Sequence, residues 1–238
     1  MGRHGTIANR KSAQDSKRAA MFTKYARQII VAAKDGGDPD FNPSLRVAID
    51  KAKGIGMPND NIARAVKKGT GELAGESYEE KVFEGYGPSG VAIIVECLTD
   101  NNNRTTAFVR SVFDKNGGNL GTPGCVSYMF AKKGVIVIDS EGLDEDEVMM
   151  EVLDAGAEDM IVNEDNFEVR TKPADFHAVL DAIKASGYEV VEAEIESIPS
   201  MEANVADDAV KALTKLITTL EDNDDVQKVY YNCELEDM

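Results

Sequence analysis

Apolar residues in the first third of the chain recur with the period of an α-helix. Between Arg10 and Lys34 they lie at i, i+3, i+4, i+7, i+8 and i+11, in the order Phe22, Tyr25, Ala26, Ile29, Ile30 and Ala33. Asn42-Pro43 then begins a second helix and Pro58 a third, because proline fits the first helical turn. The pattern predicts a module of three helices that bury a shared apolar side.

From Tyr78 onwards the period changes to that of β-strands. The predicted order is strand, strand, helix and strand, over residues 81–86, 91–98, 104–115 and 125–130, with a turn at 132–134. Gly87 to Gly90 separate the first two strands. These residues are typical of a hairpin, because no Lys-Ser/Thr follows them and they lead into a strand, which disfavours a phosphate-binding loop.

Residues 135–197 alternate as strand, helix, strand, strand, helix and strand, the βαββαβ order of a ferredoxin-like sandwich. A closing helix at 207–220 and strand at 226–231 would complete the preceding sheet. The sequence therefore predicts an α+β protein with three parts: an N-terminal three-helix module, a central α+β domain completed by the C-terminal helix and strand, and an inserted ferredoxin-like domain. The predicted boundaries are 1–76 for the basic helical domain, 77–133 plus 200–238 for the central domain and 134–199 for the acidic insert.

Charge is distributed unevenly along the chain, whose formal net charge is −17. Residues 1–70 contain 14 Lys and Arg against 6 Asp and Glu, a net charge of +8, whereas the remainder carries −25. An acidic surface repels nucleic acid, so a polyanion could bind only to the N-terminal module. The segment 135–197 is the most acidic, with 19 Asp and Glu against 3 Lys and Arg.

Cations of the N-terminal module are the candidate contacts to phosphate. On the first helix, Lys17, Lys24, Arg27 and Lys34 lie away from the apolar stripe, and residues 1–9 are predicted to form a flexible basic arm. A solvated helix face is the alternative, and Lys67 and Lys68 could instead complement the helix dipole. The candidate nucleic-acid-binding residues are Arg3, His4, Arg10, Lys11, Lys17, Arg18, Lys24, Arg27, Arg64, Lys67 and Lys68.

Signals of catalysis or metal binding are weak. The two histidines stand far apart, and no Cys/His spacing typical of zinc, nucleophile elbow or dinucleotide fingerprint occurs. We therefore expect a protein that is not an enzyme and has no metal or cofactor.

Three cysteines distant in sequence, no signal peptide and no long apolar run predict a cytoplasmic protein with no membrane partner.

Ordered sequence blocks resemble the YebC/PmpR family across almost the whole chain. They include GRHGTIANRKSAQDSKRAAMFTK at residues 2–24, GGDPD at 36–40, EGYGP at 84–88, ECLTDN at 96–101, NRT at 103–105, GGNLG at 117–121 and DDVQKVY at 224–230. The chain departs from the family at Gly2 to Ile7, where Ala-Gly-His-Ser-Lys-Trp is more usual, so the arm lacks an aromatic residue and a lysine.

The resemblance implies a three-domain α+β protein of the cytoplasm that acts as a DNA-binding transcriptional regulator. It also implies an alternative, a translation factor that associates with the ribosome or its RNA and relieves stalling at proline-rich stretches. A second alternative comes from charge alone: the acidic insert could be a scaffold that binds a basic protein surface. Sequence does not choose between DNA and ribosomal RNA, and the oligomeric state is open.

Overall fold

The computed structural model describes the backbone of residues 3–235 and the side chains of residues 18–235. The chain divides into two compact units. One contains Met1–Ser127 together with Glu202–Met238, and the other contains Tyr128–Met201. The first unit therefore includes both the helical module and the central sheet.

Three helices form the N-terminal module: α1 (Arg3–Ala32), α2 (Pro43–Gly54) and α3 (Asn59–Gly69). A 3-10 turn over Ala33–Asp35 ends the first of them. The prediction of a flexible arm over residues 1–9 is wrong for residues 3–9, whose backbone continues α1. The polar segment contains no proline, so nothing in it blocks the hydrogen bonds of a helix.

The apolar stripe of α1 builds the core of the helical module, as predicted. Ile29 and Leu45 are fully buried there. Asn42 caps α2 through its side-chain oxygen, which accepts a bond of 3.0 Å from the Leu45 amide. On α3, Ile62 and Ala65 are buried and Ala63 is exposed. Ala65 follows the buried Ile62 by three residues, whereas Ala63 is its immediate neighbour and points elsewhere.

The remaining elements follow in chain order. They are β1 (Glu79–Tyr86), β2 (Ala92–Thr99), α4 (Asn102–Lys115), β3 (Asn119–Leu120), β4 (Phe130–Asp139), α5 (Glu145–Asp154), β5 (Asp159–Val162), β6 (Asn166–Thr171), α6 (Phe176–Ala185), β7 (Val190–Pro199), α7 (Asp207–Glu221) and β8 (Val226–Tyr231).

The central sheet has the strand order β3-β1-β2-β8, and its pairs are antiparallel. Helices α4 and α7 cover it, and Phe113, Leu213 and Leu216 are fully buried in the core between them. The C-terminal strand β8 pairs with β2, so the closing helix and strand do complete this sheet as predicted.

The second unit has the strand order β5-β6-β4-β7 with antiparallel pairing throughout. With its two helices this is the predicted ferredoxin-like sandwich. The predicted strand over residues 125–130 and the turn at 132–134 are wrong. Residues Ser127–Met129 form a 3-10 turn instead, and β4 pairs with β7 from Phe130 to Ile138. Gly134 lies within β4 because Thr171 and Phe176 leave no room for a side chain.

Candidate nucleic-acid interface

A groove lies between α1 and α3 in the helical module. Its floor is apolar, and residues of α1, α3 and the turn before α3 contribute to it. The lining residues are Phe22, Thr23, Ala26, Ile30, Met57, Asn61, Arg64, Ala65 and Lys68. The apolar stripe of α1 thus continues past the buried core to a surface that solvent reaches.

Cations surround this groove. Arg64 and Lys68 line it directly, one helical turn apart on α3. The Arg18 guanidinium lies 5.5 Å from the centroid of the Phe22 ring, at the geometry of a cation-π contact. Lys67 is exposed on the same helix. Within the described side chains no carboxylate lines the groove, so its rim is positively charged.

Two of the predicted contact residues face the interior of their unit instead. The Lys24 ammonium donates to the carbonyl oxygen of Glu221 at 2.5 Å, and burial lowers its pKa although nearby carboxylates act to raise it. Arg27 donates to the carbonyl oxygens of Leu98 and Asp224 at 3.0 and 2.8 Å. Both side chains hold α1 against the central domain, and their contact with nucleic acid stays a prediction.

Asp225 is the centre of this internal contact. Arg27 donates to its carboxylate at 2.6 Å, Arg104 at 2.8 Å and the Thr105 hydroxyl at 2.7 Å. The side chains of Arg27 and Asp225 retain only 11% and 6% of their exposure. Burial alone would raise the pKa of Asp225, but the bonds from Arg104, Thr105 and Arg27 outweigh it and the pKa is lowered.

We expect the protein to be less stable to unfolding in acid, because this carboxylate becomes protonated. A lowered pKa in the folded state means that the stabilisation is fully present above the unfolded pKa of about 3.9. It is lost as the pH falls through the folded value. Urea unfolding at pH 7, 4 and 3 should show a larger loss of stability for the wild type than for Asp225→Asn. Equal losses in the two proteins would contradict the assignment.

The side chains of Arg3, His4, Arg10, Lys11 and Lys17 lie outside the described residues, so their role stays a prediction. Of the other predicted contacts, the structure brings together Arg18, Arg64 and Lys68 around the groove, with Lys67 beside them. Sequence reasoning missed Asp225, which binds Arg27 of α1, and also Arg104 and Thr105, which bind the carboxylate of Asp225. Their only signal was membership of the conserved-looking family blocks, since nothing local pairs residues so far apart in the chain.

Three glutamates of β7 form a carboxylate cluster. Glu192, Glu194 and Glu196 alternate along β7, and their ligand atoms lie within 4.8 Å of one another. Alternate residues of a strand share a face, which explains the proximity without a metal. Among the described residues the cluster contains neither histidine nor cysteine, and we assign no metal to it.

No helix in the described part of the chain is both long and apolar enough to cross a membrane.

The architecture defines a class of α+β protein in which a basic helical module is attached to a central sheet carrying an acidic ferredoxin-like insertion. Comparison with known proteins places the chain within one family. Residues 3–72 match the TACO1/YebC protein N-terminal domain, and residues 78–233 match the TACO1/YebC second and third domain. The chain belongs to the TACO1/YebC family.

Individual relatives cover nearly its full length. A probable transcriptional regulatory protein of Clostridioides difficile is 55% identical over 99% of this chain and 100% of the relative. A protein of the same description from Persephonella marina is 53% identical over 96% of this chain and 93% of its own. The crystal structure of a conserved hypothetical protein from Aquifex aeolicus is 42% identical, with a TM-score of 0.84 over 94% of this chain and 93% of that one. The family resemblance and the α+β fold are therefore confirmed.

Proposed function

We propose that this protein is a nucleic-acid-binding regulator of gene expression whose helical module contacts the phosphate backbone. The relatives described as probable transcriptional regulatory proteins support a regulatory role. The observation that carries the proposal is the cationic lining of the α1/α3 groove by Arg64 and Lys68, with Arg18 in contact with the Phe22 ring that also lines it. Lys67 stands next to it, and no described carboxylate lines the groove.

We assign the phosphate contacts to cations that no described group holds. Lys24 and Arg27 are held by groups of their own unit, and we propose that they contribute rigidity. Arg64, Lys67 and Lys68 have no ion-pair partner within the described residues and remain available. The helix-dipole alternative for Lys67 and Lys68 is compatible with binding, because a solvated ammonium near a helix end can still meet a phosphate.

Contacts of this kind give affinity without reading sequence, so they fit both double-stranded DNA and ribosomal RNA. DNA-binding control of transcription is our first proposal, in keeping with the names of the relatives. Association with the ribosome is the alternative. Cosedimentation with ribosomes distinguishes the two. If the protein sediments with ribosomes and this depends on Arg64 and Lys68, the ribosomal alternative is supported. If the protein does not sediment with ribosomes, DNA binding is supported.

Salt dependence tests the electrostatic surface directly. If about five phosphates are engaged on duplex DNA, log K should fall with log salt with a slope of about −4 to −5. Exchanging Arg64 and Lys68 for glutamate should weaken binding to all sequences and reduce the magnitude of the slope by about 2. Fluorescence anisotropy with a labelled duplex between 50 and 300 mM salt measures both.

A matched control changes net charge equally at another place. Arg110 and Lys115 are exposed on α4, and their exchange for glutamate should leave affinity and slope close to those of the wild type. Equal weakening by both pairs would mean that only net charge matters. A slope near zero in the wild type would overturn the proposal as a whole.

A further inference from the structure

The α1/α3 groove combines features that phosphate binding does not need. Phosphate contacts require cations, but this groove also has an apolar floor to which Phe22, Ala26 and Met57 contribute. It encloses about 250 Å³. A protein that held nucleic acid by its backbone alone would gain nothing from leaving such a surface uncovered, because exposed apolar area is unfavourable in water.

Polar groups stand at the edge of the apolar floor. The Asn61 amide offers both donors and an acceptor, and the Thr23 hydroxyl, which donates to the Ala19 carbonyl at 3.2 Å, can still accept a bond. Arg64 and Lys68 lie on the same rim. The groove therefore combines an apolar surface, hydrogen-bonding groups and two cations, which could contact the ring of a base, its polar edge and the adjoining phosphates.

The Phe22 ring and the Arg18 guanidinium supply flat surfaces. The guanidinium lies 5.5 Å from the centroid of the ring, and Phe22 lines the groove. Unpaired bases stack on aromatic rings and on arginine planes, and such stacking is tolerant of base identity. In a duplex both faces of each base are already stacked on neighbours, so a paired base cannot use these surfaces.

We infer that the groove binds an unpaired base of single-stranded nucleic acid, with the adjoining phosphates on Arg64 and Lys68. This deepens the proposed function and rests on it. Charge complementarity favours a nucleic acid over an apolar peptide, because the described lining carries two cations and no carboxylate. Its volume is also below the roughly 300 to 1,000 Å³ of pockets for larger ligands, which suits a single ring system.

The test compares two probes of equal phosphate number, a single-stranded 12-nucleotide RNA and the same strand with abasic linkers in place of its nucleosides, and adds a duplex of the RNA in which every base is paired. The wild type should bind the RNA about tenfold or more tightly than the abasic strand, because stacking of even one base has that magnitude. Ala26→Leu, which fills the groove, and Phe22→Leu, which removes the ring, should reduce this ratio to less than about threefold.

The control is Ala63→Leu, the same exchange at an exposed position of α3 that does not line the groove. It should keep the wild-type ratio, and thermal unfolding should show that all three variants are folded. Equal affinity of the wild type for the RNA and the abasic strand, or an unchanged ratio in both groove variants, overturns this inference and leaves the proposed function intact. Absence of binding to every probe overturns both.

Discussion

Replacing Asp225 by alanine should lower the free energy of unfolding by about 3 to 5 kcal/mol, because it leaves a buried cation without its counter-charge. Arg27 would lose its bond of 2.6 Å to the carboxylate while its side chain remains 11% exposed. The Nε of Arg27 is already buried without a hydrogen-bond partner in the described part of the structure. Loss of the carboxylate would therefore take the counter-charge from a guanidinium that already has one unsatisfied group. Arg104 is half exposed and can turn to water.

Urea unfolding followed by circular dichroism measures this change. Asp224→Ala is the matched control, since the neighbouring side chain is exposed and only its backbone carbonyl accepts from Arg27. We expect the control to change stability by less than about 0.5 kcal/mol, as surface substitutions usually do. Similar losses in the two variants would show that the carboxylate of Asp225 does not hold α1 on the central domain.

Replacing Glu84 by alanine should cost about 3 kcal/mol, because it removes an acceptor from buried backbone donors. Its carboxylate accepts from the amides of Gly124, Val126 and Ser127 at 2.8, 2.9 and 2.8 Å. Burial would raise the pKa of Glu84, but these amide bonds outweigh it and the pKa is lowered. A carboxylate that receives three amides fixes the segment after β3, which otherwise has little regular structure.

Glu80→Ala is the comparison for this second variant, because Glu80 is an exposed carboxylate on the same strand. The melting temperature should fall by several degrees for Glu84→Ala and hardly change for Glu80→Ala. Amide hydrogen exchange provides an independent reading: Val126 should lose protection in the Glu84 variant. Retained protection at Val126, even with a lower melting temperature, would contradict the role assigned to the carboxylate.

The sequence pattern predicted most of the fold because most elements depend on interactions between residues close together in the chain. The proline and asparagine at the start of α2 and the alternation in the ferredoxin-like segment use hydrogen bonds and burial within a few residues. The errors lie where a distant partner decides. Gly134 is typical of a turn by its residue type, yet it lies within β4, and the position requires glycine because Thr171 and Phe176 leave no room for a side chain.

The candidate site divides in the same way. Sequence predicted a cationic N-terminal module, and its helix period placed Lys24 and Arg27 opposite the apolar stripe. It could not show that this second face of α1 is also covered. The partners of Arg27 at Leu98 and Asp225 lie 71 and 198 residues away, beyond any periodicity.

The sequence by itself therefore determined where positive charge gathers and which helices carry it, because net charge and helical period depend only on the order of residues. The tertiary structure alone decided which cations among residues 18–235 are held by other groups of the protein. Chain folding brings Asp225 and the carbonyls around it to one side of α1, where they hold Lys24 and Arg27. It leaves Arg18, Arg64 and Lys68 around an open groove, because no described carboxylate lies there to pair with them.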